Sequence, residues 1–211
     1  MTNAPKVLAL SGGVGGAKLS LGLSNVVQEN ELIIVVNTGD DFDHYGLRIC
    51  PDLDTMIYTL AETNDQERGW GRKDETWTFM SILTRLGGED WFNLGDGDLA
   101  LHVLRTEKLR SGLALSEIVD ELCRKFGIKV KVVPMTNNRV STLVKTTEGI
   151  LPFQNYFVQK QCVPKVLDFI FKDLDEAVPY ESFLSAVKDP KTRTLIITPS
   201  NPFVSIDPIL K

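Results

Sequence analysis

Cysteine and histidine are scarce: the 211-residue chain has three of the first and two of the second. Cys50, Cys123 and Cys162 are odd in number and show no CxxC spacing, and His44 and His102 add little, so a zinc site is poorly supplied. An excess of positive charge is also lacking, the formal net charge being −5. That argues against nucleic acid or an anionic membrane as partner, since both need a basic stripe. The longest basic stretch, Arg124-Lys125 with Lys129 and Lys131, reads as a helix end and a strand flank. No apolar run approaches membrane-spanning length, and the one within MTNAPKVLAL is too short for a secretory signal. A reducing cytoplasm is the resulting default. Internal repeats and low-complexity linkers are missing as well.

What is present is an ordinary globular composition, 43% hydrophobic and 24% charged. It allows a full core within a single domain spanning 1–211, with room for a small attached subdomain. Residues 6–10 read as a buried strand ending in glycines. Leu19, Leu23 and Val26 then recur at helical spacing. A second strand over 32–36 empties into an acidic loop, and Pro51 opens a helix with acids in its first turn. Strand, helix and strand in alternation predict an α/β, Rossmann-like, mainly parallel doubly wound sheet.

Further along, 77–86 reads as a helix closed by Gly87-Gly88, and 99–109 as another. Ser116 is the expected cap of a third, which Gly127 ends. A strand over 129–133 stops at Pro134. Alternation through 140–146, a Glu148-Gly149 turn and an aromatic run over 153–158 predict a β-hairpin or an edge extension of the sheet. A weaker helix, ended by 184–187, precedes a strand over 194–198 that runs into Pro199-Ser200-Asn201-Pro202.

Four segments carry candidate chemistry. In Ser11-Gly12-Gly13-Val14-Gly15-Gly16-Ala17-Lys18, glycines after a first strand let backbone N–H groups converge on an anion at a helix N-terminus. The run fits neither a Walker A loop nor GxGxxG in register. Asp40, Asp41 and Asp43, followed by Asp52 and Asp54, gather acids where ligands bind in parallel sheets. Their use is to hold magnesium, a hard cation, or to accept a proton from an alcohol. In Gly95-Asp96-Gly97-Asp98, Asp98 reads as an N-cap, Asp96 stays open, and His102 reads as a core-edge residue. Ser200 and Asn201 sit in a proline-stiffened turn and can donate to phosphate or a base edge. Trp70, between Gly69 and Gly71, offers either a platform for a flat heterocycle or plain surface packing.

Taken in order, LSGGVGGAKL, VVNTGDDFDHYGLRICPDLDTMIYTLA, RGWG with ETW, LGDGDLALHVLRT, VVPMTNNRVSTLVKTTEGILPFQNYFV and PSNPFVSIDPIL resemble the 2-phospho-L-lactate transferase family of deazaflavin coenzyme F-420 biosynthesis. The resemblance implies a magnesium-assisted transfer. A guanylyl diphospho-acid, lactyl or enolpyruvyl, gives its phospho-acid to the terminal hydroxyl of the deazaflavin alcohol Fo, releasing GMP. It further implies that Gly12, Gly13, Gly15, Gly16 and Lys18 with Ser200 and Asn201 hold the nucleotide, and that Asn93, Trp70 and Asp96 lie along the substrate site. Asp54 faces the acceptor hydroxyl, Asp41 shares the catalytic role, and Asp40, Asp41 and Asp54 take the metal. A homodimer is compatible with this assignment.

The chain departs from the family pattern at Asn93, where members often carry a basic residue, at Asn137-Asn138 and at Asp207. Relatives are expected to continue past the equivalent of Lys211, so the chain is expected to lack the family's C-terminal part. Two rivals share the glycine loop: a nucleotide-sugar-binding regulator of the gluconeogenesis-factor family, and an inactive binding fragment. An NAD-dependent oxidoreductase is disfavoured, because Asn37 rather than an acid follows the second strand.

Overall fold

A computed structural model describes residues 7–211. The first residue of the strand expected over 6–10, and most of the segment weighed as a signal, lie outside the described residues. The central sheet is parallel, in the order β5-β2-β1-β9, from β1 (Val7–Ser11), β2 (Leu32–Val36), β5 (Lys131–Pro134) and β9 (Thr194–Ile197). Every residue of β2 is buried, as its unbroken LIIVV run requires of a strand covered on both faces. Alternate side chains enter two layers. Ala9, Ile34 and Val36 join one apolar cluster, while Leu8, Leu10, Ile33 and Val35 join the other.

Helices α1 (Gly13–Val26), α2 (Pro51–Leu60) and α5 (Leu115–Lys125) contribute to the first layer. The second receives α6 (Glu181–Lys188) through Ala186 and Phe183, with Ile209 of the short α7 (Asp207–Leu210). Pro51 at the start of α2 and Asp52 and Asp54 in its first turn agree with the reading of that segment. The face of α1 does not. Its buried residues are Gly16, Ala17 and Ser20, while Val26 is exposed. Small side chains on that stripe let α1 approach its neighbours closely, and no large apolar stripe is needed.

Several boundaries moved for identifiable reasons. Helix α3 covers Thr78–Arg85, and α4 covers Asp96–Arg110, three residues earlier than expected. The two cap each other. Asp96 accepts hydrogen bonds from the Thr78 and Phe79 amides at 3.1 and 3.0 Å, and Glu75 accepts from the Gly97 and Asp98 amides at 2.7 and 2.9 Å. The cap expected of Asp98 is therefore supplied by Glu75. Likewise Ser116 lies inside α5, whose start is held by Glu117 accepting from the Ala114 amide at 2.8 Å.

A short antiparallel hairpin, β3 (Phe42–His44) with β4 (Leu47–Ile49), fills the acidic loop after β2. The predicted hairpin forms as β6 (Ser141–Thr146) and β7 (Gly149–Pro152), but it is no edge extension. With β8 (Val166–Lys172) it makes a separate three-stranded antiparallel sheet, order β7-β6-β8. The aromatic run after β7 is a π-helical turn, Asn155–Gln159, not a strand. No described helix is long and apolar enough to cross a membrane.

Candidate active site

The carboxyl ends of β1, β2 and β9 open onto one cavity of about 680 Å³. This is the edge at which parallel α/β sheets bind ligands. Its wall is built first from the glycine loop. Gly13 adopts φ +65°, a left-handed conformation that suits glycine, and a Cβ at Gly15 would run into the Pro199 carbonyl. Two of the loop amides are already engaged: Gly12 N donates to Ser200 Oγ at 3.0 Å and Gly13 N to Asp52 Oδ1 at 2.6 Å. The N-cap of α1, Gly12, offers no capping side chain and the first turn holds no acid of its own, so Asp52 of α2 is the side chain that meets its first amide, and Val14 and Gly15 line the cavity. The anion-binding capacity of this loop therefore lies at Val14 and Gly15 rather than across the whole run.

Asp52 is the acid that knits the site together. Its other oxygen accepts from Asn37 Nδ2 at 2.9 Å, and the same nitrogen lies 3.4 Å from Asp40 Oδ1. Gln154 Nε2 reaches Asp40 Oδ2 at 3.4 Å. Burial, then the nearby Asp52 and Asp41 charges, push the Asp40 carboxyl well above its ordinary pKa. Burial also lifts Asp52 to about 6, against hydrogen bonds from Asn37, Gly13 and Ser205.

Asp54 also lines the cavity, but it is committed. Its carboxylate forms an ion pair with both terminal nitrogens of Arg105, a residue only 1% exposed. Burial opposes the Arg105 charge, yet Asp54 foremost among its neighbours raises its pKa. Beside this pair, His102 Nδ1 lies 3.7 Å from Asp54 and its Nε2 lies 3.1 Å from Asp98. Tyr58 Oη donates to Asp98 at 2.6 Å. Burial works against the Asp98 charge, but hydrogen bonds from His102 and Tyr58 and the Arg105 charge hold its carboxyl below the usual range. One oxygen or nitrogen from each of Asp54, Asp98 and His102 lies within 4.8 Å of the others, a spacing a metal could bridge.

The expected site residues therefore divide. Gly12, Gly13, Gly15, Asp40, Asp54, Trp70, Asn93, Ser200 and Asn201 surround the one cavity. Gly16 lies behind it, where a Cβ would crowd Ser11, Thr198 and Ser200. Lys18 is exposed further along α1, outside the lining. Asp96 spends both carboxylate oxygens on Thr76, Thr78 and Phe79 and is a cap for α3, not a ligand contact. Asp41, expected beside Asp40 at the metal, lines a second cavity with Arg48 and not the first. Asn201 lines the cavity, while its side-chain oxygen accepts from the Phe203 and Val204 amides.

Sequence reasoning missed Asp52 as a scaffold, Gln154, and the group Tyr58, Asp98, His102 and Arg105. The last three recur at helical spacing on one face of α4, a polar stripe that could have been found. Phe92, Phe153 and Phe157 complete the lining with apolar surface, the last two stacked at 5.5 Å.

Fold and site together define a Rossmann-like α/β protein whose ligand cavity lies between a glycine loop and an acidic floor. The chain belongs to the 2-phospho-L-lactate transferase CofD family, whose profile matches residues 7–211. It is 38% identical to a phosphoenolpyruvate transferase of Kitasatospora aureofaciens over 97% of its length and 65% of the relative's. With a phosphoenolpyruvate transferase of Nocardia farcinica it shares 40% identity, over 98% of this chain and 64% of that one. The chain thus spans about two thirds of the length of these curated relatives. Among solved structures, protein BH3568 of Bacillus halodurans aligns over 99% of this chain and 63% of its own, with a TM-score of 0.65 and 16% identity. That likeness carries the fold alone.

Proposed function

We propose that the chain is a transferase of F-420 biosynthesis that moves a phospho-acid, 2-phospholactate or phosphoenolpyruvate, from a guanylyl diphospho-acid to the terminal hydroxyl of a deazaflavin alcohol, with GMP leaving. Family membership and the transferase names of the curated relatives support it. The observation that carries the chemistry is the charge of the cavity. Asp40, Asp52, Asp54 and Asp98 line it, and none of its described lining residues is Lys or Arg.

An anionic diphosphate brought against four aspartates needs a cation, and oxygen-rich carboxylates suit magnesium. Asp40 and Asp52 fit that group best, because they converge on Asn37 beside the glycine loop and burial lifts both pKa values. The Asp54, Asp98 and His102 set fits it less well, since the Arg105 guanidinium already faces Asp54. When bound, the ion would neutralise phosphate charge. Val14 and Gly15 at the start of α1 would take a phosphate oxygen, and Ser200 and Asn201 would flank the nucleotide. Trp70 and the phenylalanines would cover a flat heterocycle. The acceptor hydroxyl gives up its proton to a cavity carboxylate, Asp54 or Asp98. Positioning of this kind is most of what phosphoryl transfer asks of a protein.

Calorimetry with GDP, UDP-N-acetylglucosamine and NAD, each with and without magnesium, tests the reading. GDP should bind most tightly and lose at least about tenfold in affinity without the metal, or about 1.4 kcal/mol. Tightest binding of the sugar nucleotide would move the chain to the regulator class. GDP binding indifferent to magnesium would remove the role given to Asp40 and Asp52.

A further inference from the structure

Asp41 faces a second cavity of about 480 Å³ that shares no lining residue with the first. Three guanidiniums, Arg48, Arg110 and Arg139, meet two carboxylates there, Asp41 and Asp43. Arg48 and Arg139 both depend on Asp43, at 3.5 and 2.8 Å, and Arg110 donates to the Gly46 carbonyl at 2.8 Å. Each guanidinium carries five N–H donors, so most of this donor capacity is not used by the protein's own acceptors. The Arg48 side chain is only 10% exposed, which makes a single 3.5 Å side-chain contact a poor match for its charge.

The floor tells the same story from the acceptor side. Asp41 is 3% exposed, and its Oδ1 has no hydrogen-bond partner among the described residues. A buried acceptor without a donor is rare in folded proteins and marks a place where a ligand or water completes the structure. The arginines have N–H donors to spare and Asp41 Oδ1 has no partner among the described residues, although the Arg48 charge and Cys50 act on its carboxyl, and both border one cavity.

We infer that this second cavity binds a small anion, a carboxylate or phosphate monoester, that also carries a hydroxyl or ammonium donor for Asp41. The anionic head would sit among Arg48, Arg110 and Arg139. This inference is independent of the transferase reading, because none of these residues lines the first cavity.

Amide NMR of the full chain, titrated with four probes, tests it. Glycerol 3-phosphate and glycerate carry both features, whereas ethyl phosphate and propionate carry only the charge. Saturable shifts at Gly46, Asn137, Asn138 and Arg139 are expected with the hydroxylated probes, which should bind several-fold more tightly than their counterparts. Arg48→Met should weaken binding by about tenfold or more. Should that variant fail to fold, Arg139→Gln decides, because Arg139 is 69% exposed and its loss spares the core. Shifts confined to Gly12–Gly15, no saturation by any probe, or unchanged affinity in the arginine variants would overturn the inference. So would equal affinity for glycerol 3-phosphate and ethyl phosphate, which leaves Asp41 without a part.

Discussion

Replacing Asp54 by asparagine should injure stability before it says anything about catalysis. The substitution keeps the shape of the side chain but removes the charge that faces Arg105. Arg105 is 1% exposed and Asp54 4%, and among the described residues the only other close acceptors of that guanidinium are the Arg48 carbonyl at 3.2 Å and His102 Nδ1 at 3.5 Å. Unit charges about 4 Å apart interact by roughly 4 kcal/mol at an effective dielectric near 20. Breaking a buried pair by removing one member costs about 3–5 kcal/mol, since the survivor stays buried and unpaired. For a chain of this size, with about 2–4 °C per kcal/mol, that is a fall in Tm of roughly 6–20 °C. Urea unfolding followed by far-UV circular dichroism, with the slope checked for constancy, measures it. The double variant Asp54→Asn, Arg105→Met should recover most of the loss, because a well-packed apolar side chain in place of the charge is nearly neutral. A single-variant loss below about 1 kcal/mol, or a double variant whose cost is the sum of the singles, would refute the view that the two charges need each other.

Stability should also fall between pH 5 and 7.5 in the absence of divalent cations. Burial raises Asp41 to about 7 and Asp52 to about 6 and lifts Asp40 as well, so the folded state keeps protons that the unfolded state has lost. Each such group lowers stability by up to about 1.4 kcal/mol per pH unit, from the ordinary carboxylate range up to its folded pKa. His44, drawn down by burial, works against this trend as one group against three. Urea midpoints across the range should decline, and Asp41→Asn should flatten the slope; a rising midpoint contradicts the assignment. Separately, Gly15→Ala should cost about 1–3 kcal/mol by forcing a Cβ into the Pro199 carbonyl, and should weaken GDP at least tenfold. Gly22→Ala on the same helix meets nothing within 4 Å and should stabilise by about 0.5–1 kcal/mol, which makes it the control.

The parts of the fold that were legible are those written by local pattern. LIIVV is buried on both faces wherever it sits in a parallel sheet, and Pro51 with its two acids opens a helix without help from the rest of the chain. The run VLDFIFK, by contrast, becomes β8 only by pairing with β6, and its apolar content fits a buried helix segment equally well. Side-chain direction inside the acidic loop was likewise hidden. Asp40 and Asp41 are adjacent outside any regular strand, so no periodicity tells which one enters the cavity. The Asp54–Arg105 pair joins residues far apart in the chain, which no local pattern connects. Asp96 and Glu75 were opaque for a related reason: reciprocal capping is a property of two helix starts in space, and the sequence offered a cap, Asp98, for only one of them.

Divergence at Asp40 and Asp41 has a consequence for the whole protein. The first cavity is acid-lined with no Lys or Arg among its described lining residues, and the second is arginine-rich. Between residues of the two linings, Arg105 Nη1 donates to the Arg48 carbonyl and the Arg48 amide donates to Thr106 Oγ1 at 2.7 Å. Charge distributed this way is costly in an empty molecule, because carboxylates outnumber their partners around the first cavity and guanidiniums outnumber carboxylates around the second. The elevated Asp40 pKa, raised first by burial and then by the Asp52 and Asp41 charges, reports part of that cost on one side, and the thinly paired Arg48 reports it on the other. On the readings proposed above, ligands of opposite sign would relieve both: a divalent cation where the carboxylates converge, and an anion where the guanidiniums do. Ligand binding should therefore stabilise each half separately, and the two increments in Tm should add unless the Arg48–Arg105 contact carries a change from one cavity to the other.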